Sequence, residues 1–255
     1  MSLVAPEMVS VSAGSIVLRD ARTKTSRTAS LRAFRIGAYP VTWRLYSQVR
    51  EQHVPEAVDP DAPVHSLSWL DAVDWCNSLS ARAGLDPVYD VRGGDVSWDV
   101  GADGFRLPTE AEWEWACRAG TTGPRYGPLS QIAWSDDDAV TSAQRVGQKR
   151  PNEFGAYDML GNVWEWCWDY ADPARYGDYR ALRGGGWADQ HWSVRASVRR
   201  GSMPGTRRDD IGFRLAQGAA GDNGDHAGQG WSRQADVDRA RTRGARPVGW
   251  TPLRT

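Results

Sequence analysis

Gly161-Asn162-Val163-Trp164-Glu165-Trp166-Cys167-Trp168-Asp169-Tyr170 reads as a β-strand. Trp164, Trp166 and Trp168 alternate with Glu165, Cys167 and Asp169, which is the two-residue period of an extended chain. One face is all Trp; the other is Glu, Cys and Asp. The same aromatic bias runs through the chain: 14 Trp exceed 8 Tyr and 4 Phe together, beside 27 Gly. Many indoles with many glycines imply large rings packed over irregular, turn-rich backbone, and each buried indole needs a partner for its N–H. That is unlike a helical bundle or a parallel α/β enzyme.

Upstream of this strand, MVSVSAGSIVL (8–18) and LRAFRIGAYPVT (31–42) read as short strands. Thr42 is placed to cap a helix whose face holds Trp43, Leu45, Tyr46 and Val49. A Pro/Asp loop spans 54–64. Ser68 and Asp71 resemble a capping pair ahead of Trp69, Ala72, Val73, Cys76 and Leu79, with Gly84 as the stop. A hairpin is expected around Gly93-Gly94. Thr109 and Glu112 form a capping box for a helix running to Gly120. Residues 121–160 read as loop. Downstream, 181–216 reads as strand, loop, a strand WSVRASVR (192–199), a polar loop, and a last strand IGFRLA (211–216). In WSVRASVR, Trp192, Val194, Ala196 and Val198 are expected on the core side. Residues 1–217 are read as one domain and 218–255 as a flexible Gly/Ala/Arg/Asp-rich tail.

The 255 residues carry 31 Lys+Arg against 32 Asp+Glu, a formal net charge of −1. That balance gives no electrostatic case for nucleic acid or a membrane surface as partner. Mean hydropathy is −0.58, and no run approaches the ~18 apolar residues of a membrane span. No secretory signal is visible in the first residues. Three cysteines, an odd number, suggest reduced thiols and a cytoplasmic protein.

Generic catalytic motifs are absent: there is no phosphate loop, nucleophile elbow, H-E-x-x-H or C-x-x-C. Asn162 and Glu165 with loop carbonyls suit a hard cation such as Ca²⁺. Cys167 reads as a small core residue. Asp136-Asp137-Asp138 reads as a solvated loop. Cys76 and Cys117 lie on apolar helix faces and read as inert thiols. The richest segment is 187–208, where Trp187, Asp189, Gln190, His191 and Trp192 precede Arg195, Arg199, Arg200, Arg207 and Arg208. Aromatic, Arg and polar residues on loops make a binding face; most of the arginines are expected to pair with the abundant acids.

Taken in order, MVSVSAG (8–14), FRIGAYPVT (34–42), PVHSLSWLDAVDWCN (63–77), GFRLPTEAEWEWACRAG (104–120), PNEFGAYDMLGNVWEWCWD (151–169), RGGGW (183–187) and IGFRLA (211–216) resemble the formylglycine-generating enzyme family, also called the sulfatase-modifying-factor family. The resemblance covers about residues 7–216. It implies an α+β, irregular C-type-lectin-like fold with short strands, two main helices and much loop. The family includes a copper-dependent oxidase, iron-dependent sulfoxide synthases, siderophore-tailoring enzymes and lectin-like binding proteins, among them retroelement-diversified variable proteins.

The resemblance discriminates among these. The oxidase holds Cu(I) with two cysteines between RGG and GFR; those positions fall near Asp189 and at His191, so Cu(I) chemistry is not expected. Family disulfides from positions matching Cys76 and Cys117 would end at Leu215 and Ala196 and cannot form. The sulfoxide synthases use an N-terminal bundle that is not seen ahead of residue 7, and their Trp-Asp pair falls near Ser202 and Met203. A structural Ca²⁺ is implied at Asn162, Val163 and Glu165, with Val163 offering a carbonyl. Two functions follow. The first is a binding module using Trp187, Asp189, Gln190, His191, Trp192 and Arg207 toward an unknown ligand or protein partner. The second is a divergent oxidoreductase or tailoring enzyme with Asp189 and His191 as acid/base pair or metal ligands.

Overall fold

The computed structural model describes residues 5–20, 24–222 and 224–241. Strands β1 (Met8–Val11), β2 (Gly14–Asp20), β3 (Thr25–Leu31) and β4 (Phe34–Gly37) open the chain. β1 pairs antiparallel with β4, and β2 with β3. Thr42 then caps α1 (Trp43–Arg50), its side chain accepting from Leu45 N. Ser68 and Asp71 form a reciprocal capping box on α2 (Trp69–Arg82). β5 (Tyr89–Arg92) and β6 (Asp95–Trp98) make the hairpin expected at Gly93-Gly94. After β7 (Phe105–Arg106), Thr109 and Glu112 close the capping box on α3 (Glu110–Arg118). Each such cap satisfies orphan N–H groups of a helix start, worth about 1 kcal/mol. Short α4 (Leu129–Ile132) precedes the long loop into β8 (Trp164–Tyr170).

Strand β8 divides the interior. Trp164, Trp166 and Trp168 belong to one core with Trp69, Trp75 and Leu79 of α2. Cys167, on the opposite face, belongs to a second core with Trp113, Ala116 and Cys117 of α3. Both faces of the strand are therefore buried, and the two carboxylates beside Cys167 lie inside the protein. Buried charge needs a partner; Asp169 accepts from Glu110 N at 2.8 Å and lies 3.9 Å from Arg27, while Glu165 and two acids of α3 are held by arginines. Arg214 binds Glu165, Arg183 binds Glu114, and Arg106 binds Glu112 through two hydrogen bonds at 2.6 and 2.7 Å.

After short α5 (Pro173–Tyr176) come β9 (Arg180–Arg183), β10 (Arg199–Ser202), β11 (Ile211–Phe213) and β12 (Ala216–Gln217). One four-stranded sheet has the order β10-β9-β8-β11, with β11 parallel to β8. The other has the order β1-β4-β12-β7. The stretch 211–216, expected as one strand, is split at Arg214-Leu215 and joins both sheets. The fold is thus the expected irregular α+β arrangement.

Two expectations fail. Residues 192–198 are not a strand: they form turns, with Ser193 N bonded to Gln190 O at 2.8 Å and Val198 N to Arg195 O at 3.1 Å. Val194 and Ala196 are buried as expected, but Ser193 is buried too and Trp192 is 54% exposed. The second failure is the tail. Residues 218–222 and 224–241 pack on the domain as β13 (Ala227–Gly228), β14 (Trp231–Ser232) and α6 (Arg233–Ala240). Trp231 lies 5.3 and 5.6 Å from the rings of Trp98 and Trp168. Gln229, buried, exchanges hydrogen bonds with the Arg32 backbone, and Thr109 Oγ1 donates to its carbonyl at 2.7 Å. One indole and one amide anchor a segment that is otherwise poor in apolar residues. The rest of the expected tail, 242–255, lies outside the described residues.

Candidate functional site

The loop from Gly184 to Ala196 leaves the core at the end of β9, beside β8. Gly184 has φ +97°, and a Cβ there would sit 3.1 Å from Met159 O and 3.2 Å from the Trp113 ring. Only glycine lets the chain turn so close to the core. On the facing side Gly161 has φ +73°, and a Cβ would fall 2.1 Å from Trp134 O. The two turns meet where Gly161 N donates to Gly184 O, and Asn162 O accepts from Trp187 N.

Asp189 is the hub of the loop. Its Oδ2 accepts from Trp164 Nε1 at 2.6 Å and from Gly186 N at 2.9 Å, and its Oδ1 lies 3.3 Å from Arg200. Arg200 stacks over the Trp164 ring at 4.8 Å and also reaches Ser193 Oγ at 3.3 Å. From the other side Arg125 donates to the carbonyls of His191 and Val194. A loop without ladder bonds is thereby fixed at its base by two arginines and an indole. Gln190, His191 and Trp192 are left exposed at its tip. Trp192 Nε1 donates to Gln190 Oε1 at 2.7 Å, which sets the direction of the indole.

The residues expected at the site therefore separate. Gln190, His191 and Trp192 share the exposed tip. Asp189 is one of the groups that hold it, and among the described residues no hydrogen bond or ion pair joins Asp189 to His191, so the acid/base pair is not assembled. Trp187 is half-buried, and among the described residues its indole N–H has no acceptor. Arg207 pairs with Asp71 at 2.5 Å, in a 203–208 loop that docks on the start of α2. Arg199, Arg200 and Arg208 pair with Glu110, Asp189 and Asp210. Arg125 and Trp164 were not expected to shape the site; their contacts span 66 to 69 and 25 residues, and no local pattern announces them. A cleft of about 200 Å³ lined by Tyr39, Pro40, Val41, Leu45 and Leu215 shares no residue with the loop.

The expected calcium donors do not form an oxygen shell. Both oxygens of Glu165 accept from Arg214, at 2.9 to 3.2 Å, and Oε2 also accepts from Trp113 Nε1 at 2.6 Å. Asn162 Oδ1 accepts from Gln144 N at 2.9 Å, and its carbonyl from Trp187 N at 2.8 Å. A guanidinium stands where the cation would need the carboxylate, so Asn162, Val163 and Glu165 do not fit Ca²⁺ in this arrangement. Among the described residues no group of three His, Cys, Asp or Glu is placed to hold a metal ion. Burial pushes the thiols of Cys76, Cys117 and Cys167 well above their ordinary range, which suits core residues and not nucleophiles. In the acidic triplet, Asp136 and Asp137 are exposed and Asp138 pairs with Lys149 at 2.7 Å. No helix among the described residues is long and apolar enough to cross a membrane.

With this fold and these motifs, the chain belongs to the family of sulfatase-modifying factor enzyme 1-like domains, whose model matches residues 2–219. It is similar to the inactive C-alpha-formylglycine-generating enzyme 2 of Mus musculus, 31% identical over 195 aligned positions, with 67% of this chain and 61% of that protein covered. It is also similar to the formylglycine-generating enzyme of Streptomyces coelicolor, 32% identical over 206 aligned positions, with 63% of this chain and 65% of that one covered. The chain thus spans less than two thirds of the length of both. Among solved structures, Treponema denticola variable protein 1 superposes with a TM-score of 0.76 at 31% identity, covering 82% of this chain and 94% of that one.

Proposed function

We propose that the chain is a binding module that presents the tip of the 187–193 loop, Gln190, His191 and Trp192, to a ligand or protein partner. The observation that carries this reading is Trp192. Among the described residues it is the most exposed of the large hydrophobic side chains, on a loop whose base is fixed by Trp164, Arg125 and Arg200. An indole left in water yet held in one direction is the kind of preorganised aromatic anchor that interfaces use. Likeness over nearly the whole of a variable protein, and to a relative named as inactive, supports this reading, while the 32% identity to a formylglycine-generating enzyme keeps a divergent enzyme as the alternative.

The copper oxidase reaction is not proposed, because Asp189 and His191 stand where the resemblance puts the two cysteines. An enzyme using Asp189 as acid or base would first have to release it from Trp164, Gly186 and Arg200. The test is a screen of the full chain and its Trp192→Ala variant against immobilised peptide and glycan arrays. The reading expects ligands bound by the parent and lost by a variant of unchanged stability. Identical profiles for the two proteins would overturn it.

A further inference from the structure

Among the described residues four arginines are buried: Arg106, Arg180, Arg183 and Arg214. Three of them hold a carboxylate: Arg106 with Glu112 at 2.6 Å, Arg183 with Glu114, and Arg214 with Glu165 at 2.9 Å. Arg180, 6% exposed, has no ion pair among the described residues. It uses one donor, Nη1 to Trp168 O at 2.7 Å. Its guanidinium lies 3.8 Å from the ring centre of Trp69, 3.9 Å from that of Tyr170 and 5.1 Å from that of Trp168.

Aromatic rings satisfy the faces of a guanidinium and leave its edge, where the N–H groups point, unfilled. Among the described residues the other nitrogens of Arg180 have no hydrogen-bond partner, and the 6% of the residue that is exposed leaves a narrow approach to this edge. The acids that act on it do so at a distance and are engaged elsewhere. Asp236 pairs with Arg239 at 2.5 Å and accepts from Trp231 Nε1 at 2.7 Å. Asp169 accepts from Glu110 N at 2.8 Å and lies 3.9 Å from Arg27. Arg180 begins β9 and Arg183 ends it, so Arg180 sits at the end of the strand away from the 187–193 loop.

We infer that Arg180 anchors an anion subsite that takes one small free oxyanion, a carboxylate, sulfate or phosphate, against its open edge between Trp69 and Tyr170. The planar fork of donors matches two oxygens of such a group. A largely dehydrated cation without a counter-charge gains more from an anion than an exposed arginine does.

The test uses the full chain and its tryptophan fluorescence, since Trp69 and Trp168 flank the guanidinium. Sodium sulfate, phosphate and acetate are titrated separately, with sodium chloride holding ionic strength constant. The inference expects a saturable change with at least one oxyanion and none with chloride. Its affinity should fall at least tenfold in Arg180→Met and stay the same in Arg92→Met, which alters an exposed arginine paired with Asp90. Should Arg180→Met not fold, phenylglyoxal modification of the parent protein, read by mass spectrometry, carries the test. The same oxyanion should then protect Arg180 and leave Arg92 reactive. A response that never saturates, that is equal in Arg180→Met, or that gives Arg180 no protection would make this a structural cation only.

Discussion

Trp164 donates its indole N–H to Asp189 Oδ2 at 2.6 Å, so a residue of the central strand fixes the loop from which Gln190, His191 and Trp192 project. The strand that organises the two cores also sets the geometry of the exposed tip. Replacing Asp189 by Ala leaves the Trp164 and Gly186 N–H groups without their acceptor and Arg200 without its counter-charge. The expected loss is about 1 to 3 kcal/mol, read by urea unfolding. Trp192→Ala should change stability by less than about 0.5 kcal/mol. Equal losses in the two variants would mean that Trp192 is a packing residue.

Glu165 and Arg214 are both buried, and three hydrogen bonds from the guanidinium join them. Glu165→Gln keeps an acceptor for Trp113 Nε1 but leaves the guanidinium uncompensated. The expected cost is about 3 to 5 kcal/mol, a large share of the stability of an ordinary domain. The double variant Glu165→Met, Arg214→Met should lose less than the sum of its single changes. A double-mutant cycle measures that coupling, and additivity would contradict it.

The sequence discloses the parts of this architecture that are local. Capping boxes at Ser68/Asp71 and Thr109/Glu112, the Gly93-Gly94 turn and the alternation of 164–170 each act over two to six residues, and each element forms where it is read. What stays hidden is set by distant partners. Alternation in 192–198 suggested a strand, but Arg125 and Arg200 hold that stretch in turns. Low apolar content in 218–241 suggested a tail, but Trp231 and Gln229 find partners more than 60 residues away. Glu165 looked like an oxygen donor for a cation because nothing near it in sequence predicts Arg214, 49 residues on.

Trp231 closes the cluster of Trp98 and Trp168. It is half-buried, so Trp231→Ala should cost about 2 kcal/mol, somewhat below the full cost of deleting a core aromatic. Ending the chain at residue 219 should cost more, since the bonds from Thr109 and Arg32 to Gln229 are lost as well. Unchanged urea midpoints would show that this segment contributes nothing to stability.

Asp169 is pushed up to about 6, chiefly by burial and then by the charge of Glu110. The unfolded value is about 3.9, so between these limits the folded state binds more protons than the unfolded one. By linkage, the contribution of this group is fully present below about pH 4 and is lost as pH rises through about 6. Asp169→Asn keeps an acceptor for Glu110 N and removes the titration. The stability difference between parent and variant should therefore shift by about 2 to 3 kcal/mol from pH 4 to pH 7. A difference that stays flat across that range would contradict the assignment.

Binding by the tip of the 187–193 loop is measured by calorimetric titration of the parent, Trp192→Ala and Val91→Ala with an array-selected ligand. Val91 is 44% exposed on the β5–β6 hairpin and serves as the apolar control. Trp192→Ala should weaken binding at least tenfold, the scale of a removed aromatic hot spot, about 1.4 kcal/mol or more, while Val91→Ala should bind as the parent does. Equal affinity in all three proteins, or an equal loss in both variants, would contradict it.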